Sequence, residues 1–123
     1  MIRERDEFSL LNESPFTAAD RMIVRHLRDD WGETHYWVLM AAALCSLASR
    51  EGHTYLDLAV PQLSSVSVPK SWPAVERWPS IIEQSRIGKT EGDETTKPLV
   101  LCSGNSLYLD KYYKYEKALA AQL

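Results

Sequence analysis

Gly88-Lys89-Thr90 repeats the last three residues of a phosphate-binding P-loop, in which backbone amides cradle phosphates and a lysine meets their charge. The pattern fails one step earlier. The position of the first glycine is Glu83, and the segment before Gly88 reads as a helix where a P-loop needs a strand. Glu91, Asp93 and Glu94 follow and would repel phosphate. Gly88 is therefore read as the closing turn of a helix. The other reactive side chains fare no better. His26, His35, His53, Cys45 and Cys102 show none of the short spacings of a zinc site. A Cys45–His53 nucleophile pair would need an exposed, electropositive thiol, yet Cys45 lies on the most apolar stretch of the chain. Glu76 with Glu83, and Asp93 with Glu94, are carboxylate pairs in polar surroundings, with no apolar pocket to raise a pKa. No catalytic residue, cofactor site or metal site is expected in this chain.

Aromatic residues are the remaining candidates. Four tryptophans and six tyrosines stand against two phenylalanines, and Trp and Tyr are the residues that anchor protein interfaces. Most are expected in the core. Trp72 and Trp78, in a proline-rich irregular stretch, and Tyr113, opposite a Tyr112, Tyr115, Leu119 stripe, are the candidates for contact with a partner.

The elements that must position these residues follow from pattern. A helix is predicted over 18–30, capped by Thr17 with Asp20 completing a capping box, with Met22, Ile23, His26 and Leu27 on one face, and ended by Trp31-Gly32. A second, apolar nearly all round, runs from after Thr34 to about Arg50, with Gly52 at its carboxyl end, and reads as the central helix. A short strand carries Tyr55, Leu56 and Leu58 before a break at Pro61. A third helix is predicted over 79–87, and Lys89 to Lys97 reads as a solvated loop. Leu99 to Cys102, the turn Ser-Gly-Asn-Ser and Leu107 to Leu109 predict a β-hairpin. Asp110 can cap a fourth helix with Tyr112, Tyr115, Leu119 and Leu123 in its stripe. That helix has no stop signal, from which a longer parent protein is expected. The predicted class is α+β: a mainly helical domain of about four helices packed on a small antiparallel sheet with a carboxyl-terminal β-hairpin.

With 123 residues, 45% hydrophobic and 25% charged, the chain has the make-up of a single globular domain over residues 1–123. Its apolar runs are well short of the ~20 residues of a membrane span, and its amino terminus does not resemble a signal peptide, so a cytoplasmic protein is expected. Both cysteines are read as buried in a reducing compartment. A net charge of −3 leaves no surplus of Lys and Arg to neutralise phosphates, so weak or no DNA binding is expected of this domain.

PLVLCSGNSLYLDKYYKYEKALAAQL, beginning at Pro98, resembles the amino-domain hairpin and helix of the exodeoxyribonuclease V alpha subunit, RecD. MAAALCSLASREGHTYLDLAVPQL, from Met40, is similar to the same family's Ala-rich helix, Gly-His and Leu-x-Leu strand, carried by Ala41 to Leu44, Gly52, His53, Leu56 and Leu58. Tyr113, where many members have Trp, and Cys102, often a turn-forming Asp, depart from the pattern. The resemblance implies a non-catalytic amino-terminal domain that anchors an ATP-dependent 5′–3′ DNA helicase in a RecBCD-type complex for recombinational repair. It implies docking on the gamma (RecC-type) subunit, and through it on the beta subunit. The motor, with its ATP and Mg, would lie beyond this chain. A winged-helix-like DNA contact, with the 98–109 hairpin as the wing, is the alternative; the few cations, Arg77, Arg86, Lys89 and Lys97, are diluted by nearby acids.

Overall fold

A computed structural model of the chain describes residues 11, 16–59, 72–93, 95–103 and 105–110. Helix α1 spans Ala18–Asp29, and at its start the Asp20 carboxylate accepts the Thr17 backbone N–H at 2.9 Å, as the capping-box reading predicts. Its buried face is Asp20, Val24 and Leu27. Met22, at 66%, and His26 are exposed, so the face they share with Ile23 and Leu27 in the sequence reading is not the buried one. Gly32, at a φ of +75°, turns the chain out of α1.

Helix α2, Tyr36–Arg50, is buried at every position from Val38 to Ala48. No face of it is polar because α1 covers one side and the sheet the other. It ends where Gly52, at a φ of +91°, lets the His53 N–H reach the Ala48 carbonyl at 2.9 Å and the Gly52 N–H reach that of Ser49 at 3.2 Å. That pair of bonds is the Schellman closure, and it satisfies carbonyls the helix leaves open.

A 3-10 turn at Val75–Arg77 leads into helix α3, Trp78–Gln84. The expected end near Ile87 is too late. Ser85 stops the helix: its hydroxyl donates to the Ile82 carbonyl at 2.7 Å and accepts the Gly88 N–H at 2.9 Å. Gly88 is not a helix cap but the first residue of a strand.

Four strands form one mixed sheet in the order β1-β4-β3-β2: β1 is Leu56–Asp57, β2 Gly88–Thr90, β3 Leu99–Cys102 and β4 Ser106–Leu109. β3 and β4 pair antiparallel, with Leu101 opposite Leu107, and β1 pairs antiparallel with β4, with Leu56 opposite Leu107. β2 runs parallel to β3, so the sheet is not purely antiparallel as expected. Parallel neighbours normally need a long crossover. Here β2 is only three residues long, and the 91–98 connection returns over that short distance without a helix. Because β4 lies between β1 and β3, and β3 between β4 and β2, the 98–109 hairpin is the middle of the sheet.

Three α-helices and one sheet make the described residues α+β. The fourth helix, expected past Asp110, and the break at Pro61 lie outside the described residues. Leu39, Leu44, Leu47, Leu56, Trp78, Ile82, Leu99 and Leu107 belong to the largest, fully enclosed side chains of the core between α2, α3 and the sheet.

Candidate functional site

Two connections that are far apart in sequence meet around one carboxylate. Glu33, 3% exposed, follows the Gly32 turn between α1 and α2. Its Oε2 accepts the backbone N–H groups of Thr34 and His35, each at 3.1 Å, and its Oε1 accepts those of Arg86 at 2.8 Å and Ile87 at 3.3 Å. One side chain thereby holds the two residues that lead into α2 and ties them to the segment between α3 and β2. This also explains why α3 cannot continue: the Arg86 and Ile87 amides face Glu33 instead of helical carbonyls.

Glu33 is the floor of a cleft of about 650 Å³ between the α1–α2 connection and α3. Thr34 and His35 form one wall, and Arg77, Ser80, Ile81 and Gln84 the other. The Gln84 side-chain amide donates to Ser80 Oγ at 3.0 Å along the helix. Arg86 closes the end, and its side chain lies about 3.6 Å from where a Cβ on Gly32 would stand. Arg77 and Arg86 are exposed, and neither has an ion-pair partner among the described residues. A smaller recess of about 280 Å³, lined by Ile23, Leu27, Pro98 and Leu109 with His26, Thr96 and Asp110, is mostly apolar.

The other buried ionisable groups hold elements together. Asp20 is fully enclosed, accepting the Ser46 hydroxyl at 2.6 Å and pairing with Arg50, so α1 is fastened to α2. Lys89 projects from β2 on the face opposite the main core, donates to the Thr95 carbonyl and pairs with Asp110 at 3.0 Å. Lys89 is 4% exposed, so the lysine of the apparent P-loop fragment is committed to the fold. Gly88-Lys89-Thr90 is a strand rather than a loop entering a helix.

Trp72 and Trp78, read as partner contacts, are drawn inward. Trp78 is 0% exposed, which overturns that reading for it. Trp72 is half-buried, packed between Trp78, tilted to it at 5.2 Å, and Trp37, edge to face at 5.5 Å between ring centroids, and its indole N–H faces the Leu58 carbonyl at 3.5 Å. The reason is size: a fused ring beside two other rings gains more from burial than from water. Tyr113 lies outside the described residues. Cys45 is buried, its thiol facing the Leu107 carbonyl at 3.5 Å, and burial pushes its pKa far above the ordinary thiol value. Cys102, read as core, is instead half-buried near the end of β3. The Asp93 carboxyl is held below its ordinary value by the Thr95 backbone N–H, the opposite of what a general acid needs. Among the described residues no group of His, Cys, Asp and Glu could hold a metal ion, and no helix is long and apolar enough to cross a membrane.

Glu33 had no sequence motif of its own. Two of its four partners are backbone amides more than fifty residues away in the chain, which no side-chain spacing encodes.

Three helices on a four-stranded mixed sheet define an α+β domain in which the buried charged groups of the described residues, Asp20, Glu33 and Lys89, join elements. The sequence matches the family described as RecBCD enzyme subunit RecD, N-terminal domain, over residues 12–108, and the chain belongs to that family. The family is a non-catalytic part of RecD, a subunit of the RecBCD complex. No curated protein matches the chain.

Proposed function

We propose that this chain is a single-domain docking module that anchors a RecD helicase subunit in a RecBCD-type exodeoxyribonuclease V complex. Its direct partner is the gamma (RecC-type) subunit, and through it the beta subunit. The supporting observation is the family match over residues 12–108. The physical reading agrees with it. Asp20, Glu33 and Lys89, the buried charged side chains among the described residues, are held by structural partners. A net charge of −3 argues against a strong grip on DNA. ATP hydrolysis, Mg and 5′–3′ unwinding belong to motor domains outside this chain, and the complex works on DNA in the cytoplasm.

The test is co-purification of the 123-residue chain with the cognate gamma subunit, with duplex DNA titrated in parallel at two salt concentrations. Capture of the gamma subunit with negligible DNA affinity is the expected result. DNA binding that falls steeply with salt, without capture of the gamma subunit, would overturn the docking role.

A further inference from the structure

The cleft above Glu33 is donor-rich in a way that the fold does not require. Glu33 itself is spent: its two oxygens already receive four backbone N–H groups, so its charge faces four amide dipoles. Two arginines, Arg77 and Arg86, line the same cleft, with Ser80, Gln84 and His35. Exposed arginines on a convex surface commonly remain hydrated and unpaired. Two of them in one concavity are different, because the walls exclude part of the competing water and strengthen each hydrogen bond made there. Glu76 at the rim is the opposing exposed charge lining the cleft.

The guanidinium geometry selects the ligand. A planar fork of N–H donors matches a carboxylate bidentately, with shorter and stronger bonds than neutral donors make. The cleft is also large enough for several residues of extended chain rather than for one small ion. Arg77 ends the 3-10 turn before α3 and Arg86 follows α3; Arg86 is held through its own backbone N–H on Glu33, and its side chain lies over Gly32. Arg86 is therefore partly preorganised, which lowers the ordering cost of binding.

We propose that the cleft between the α1–α2 connection and α3 is a binding site for an acidic peptide segment of a protein partner, with Arg77 and Arg86 each taking a carboxylate. The proposal rests on the docking role and gives it a place and a chemistry: the partner presents Asp or Glu side chains on an extended stretch, and α3 with the α1–α2 connection receives them.

The probe is a fluorescent oligoglutamate peptide titrated into the 123-residue chain at low salt, with oligolysine and oligothymidylate as the other arms. The wild-type chain and Arg25→Glu, an exposed cation on α1 away from the cleft, are expected to bind oligoglutamate alike. The double variant Arg77→Glu/Arg86→Glu is expected to bind at least about tenfold more weakly, the loss of charge-assisted hydrogen bonds worth more than one decade. Because the Arg86 stem covers Gly32, Arg77→Glu alone repeats the measurement should the double variant melt early. Equal affinity in the cleft variants, or tighter binding of oligothymidylate than of oligoglutamate, would overturn the proposal. Gamma-subunit capture by a chain that does not bind oligoglutamate would remove the cleft and leave the docking role standing. Arginine-dependent oligoglutamate binding without gamma-subunit capture would do the reverse.

Discussion

Replacing Glu33 by glutamine keeps shape and size while changing what the side chain can accept. The carboxylate presents two oxygens, each to a pair of backbone donors: Thr34 and His35 on one side, Arg86 and Ile87 on the other. Glutamine can turn its carbonyl to one pair only. Its NH2 then faces the other pair, donor against donor, and two N–H groups lose their acceptor at a site that is 3% exposed. A buried donor left without a partner costs roughly 1–3 kcal/mol. Taking about 1.5 kcal/mol for each, since these amides are only partly enclosed, gives about 3 kcal/mol for Glu33→Gln. Near ~4 °C per kcal/mol for a domain of this size, the midpoint should fall by about 12 °C. Thermal and urea unfolding followed by tryptophan fluorescence and far-ultraviolet dichroism measure this directly. Unchanged urea slopes would show that the native state, not the denatured ensemble, carries the loss. Glu33→Ala should cost at least as much, because all four donors lose their partner. A Glu33→Gln chain within about 1 kcal/mol of wild type would refute the argument that this carboxylate joins the two connections.

Four further outcomes follow from other contacts. Asp20→Asn should destabilise by about 2 kcal/mol, measured by urea denaturation, because it removes the charge paired with Arg50 and leaves one acceptor oxygen where Ser46 and the Thr17 N–H use opposite ones. Gly88→Ala should cost about 2 kcal/mol by overpacking, since the added Cβ would stand 2.7 Å from both Ile82 Cγ2 and Ser85 Oγ; the Gly88→Ala/Ile82→Ala double variant should lose less than the sum of the two single losses. Cys45 should resist a chromogenic thiol reagent in the native chain while Cys102 reacts, and both should react in denaturant. Burial raises the Cys45 pKa in the folded state, so the folded chain holds that proton more tightly than the unfolded one. The stability this gives is complete below the unfolded thiol value of 9.0 and declines as pH rises beyond it, a slope that Cys45→Ala should lack in alkaline urea titrations.

Helix α1 with its capping box, the all-round apolar α2 with Gly52 behind it, and the Tyr55-Leu56-Leu58 alternation were legible in the sequence. Each is a local signal: a cap, a period or a glycine within a few residues of the element it governs. The resemblance to RecD rested on those same blocks and on the Pro98–Leu109 hairpin, and the family match over residues 12–108 agrees with it.

What the tertiary structure decided has a common cause: the partners are distant in the chain. Gly88-Lys89-Thr90 is too short and too polar to read as a strand, and it becomes one because β3 lies parallel beside it and Ser85 and Ile82 pack against the bare Gly88 backbone. Helix α3 stops at Gln84 because Glu33 takes the Arg86 and Ile87 amides. Trp78 passes from candidate contact to core because Trp72 and the surrounding leucines enclose it. Composition and periodicity report how each segment prefers to behave in isolation. Which amide meets the Glu33 carboxylate, and which arginines are left over to face a partner, depends on the meeting of segments that only the folded chain brings together.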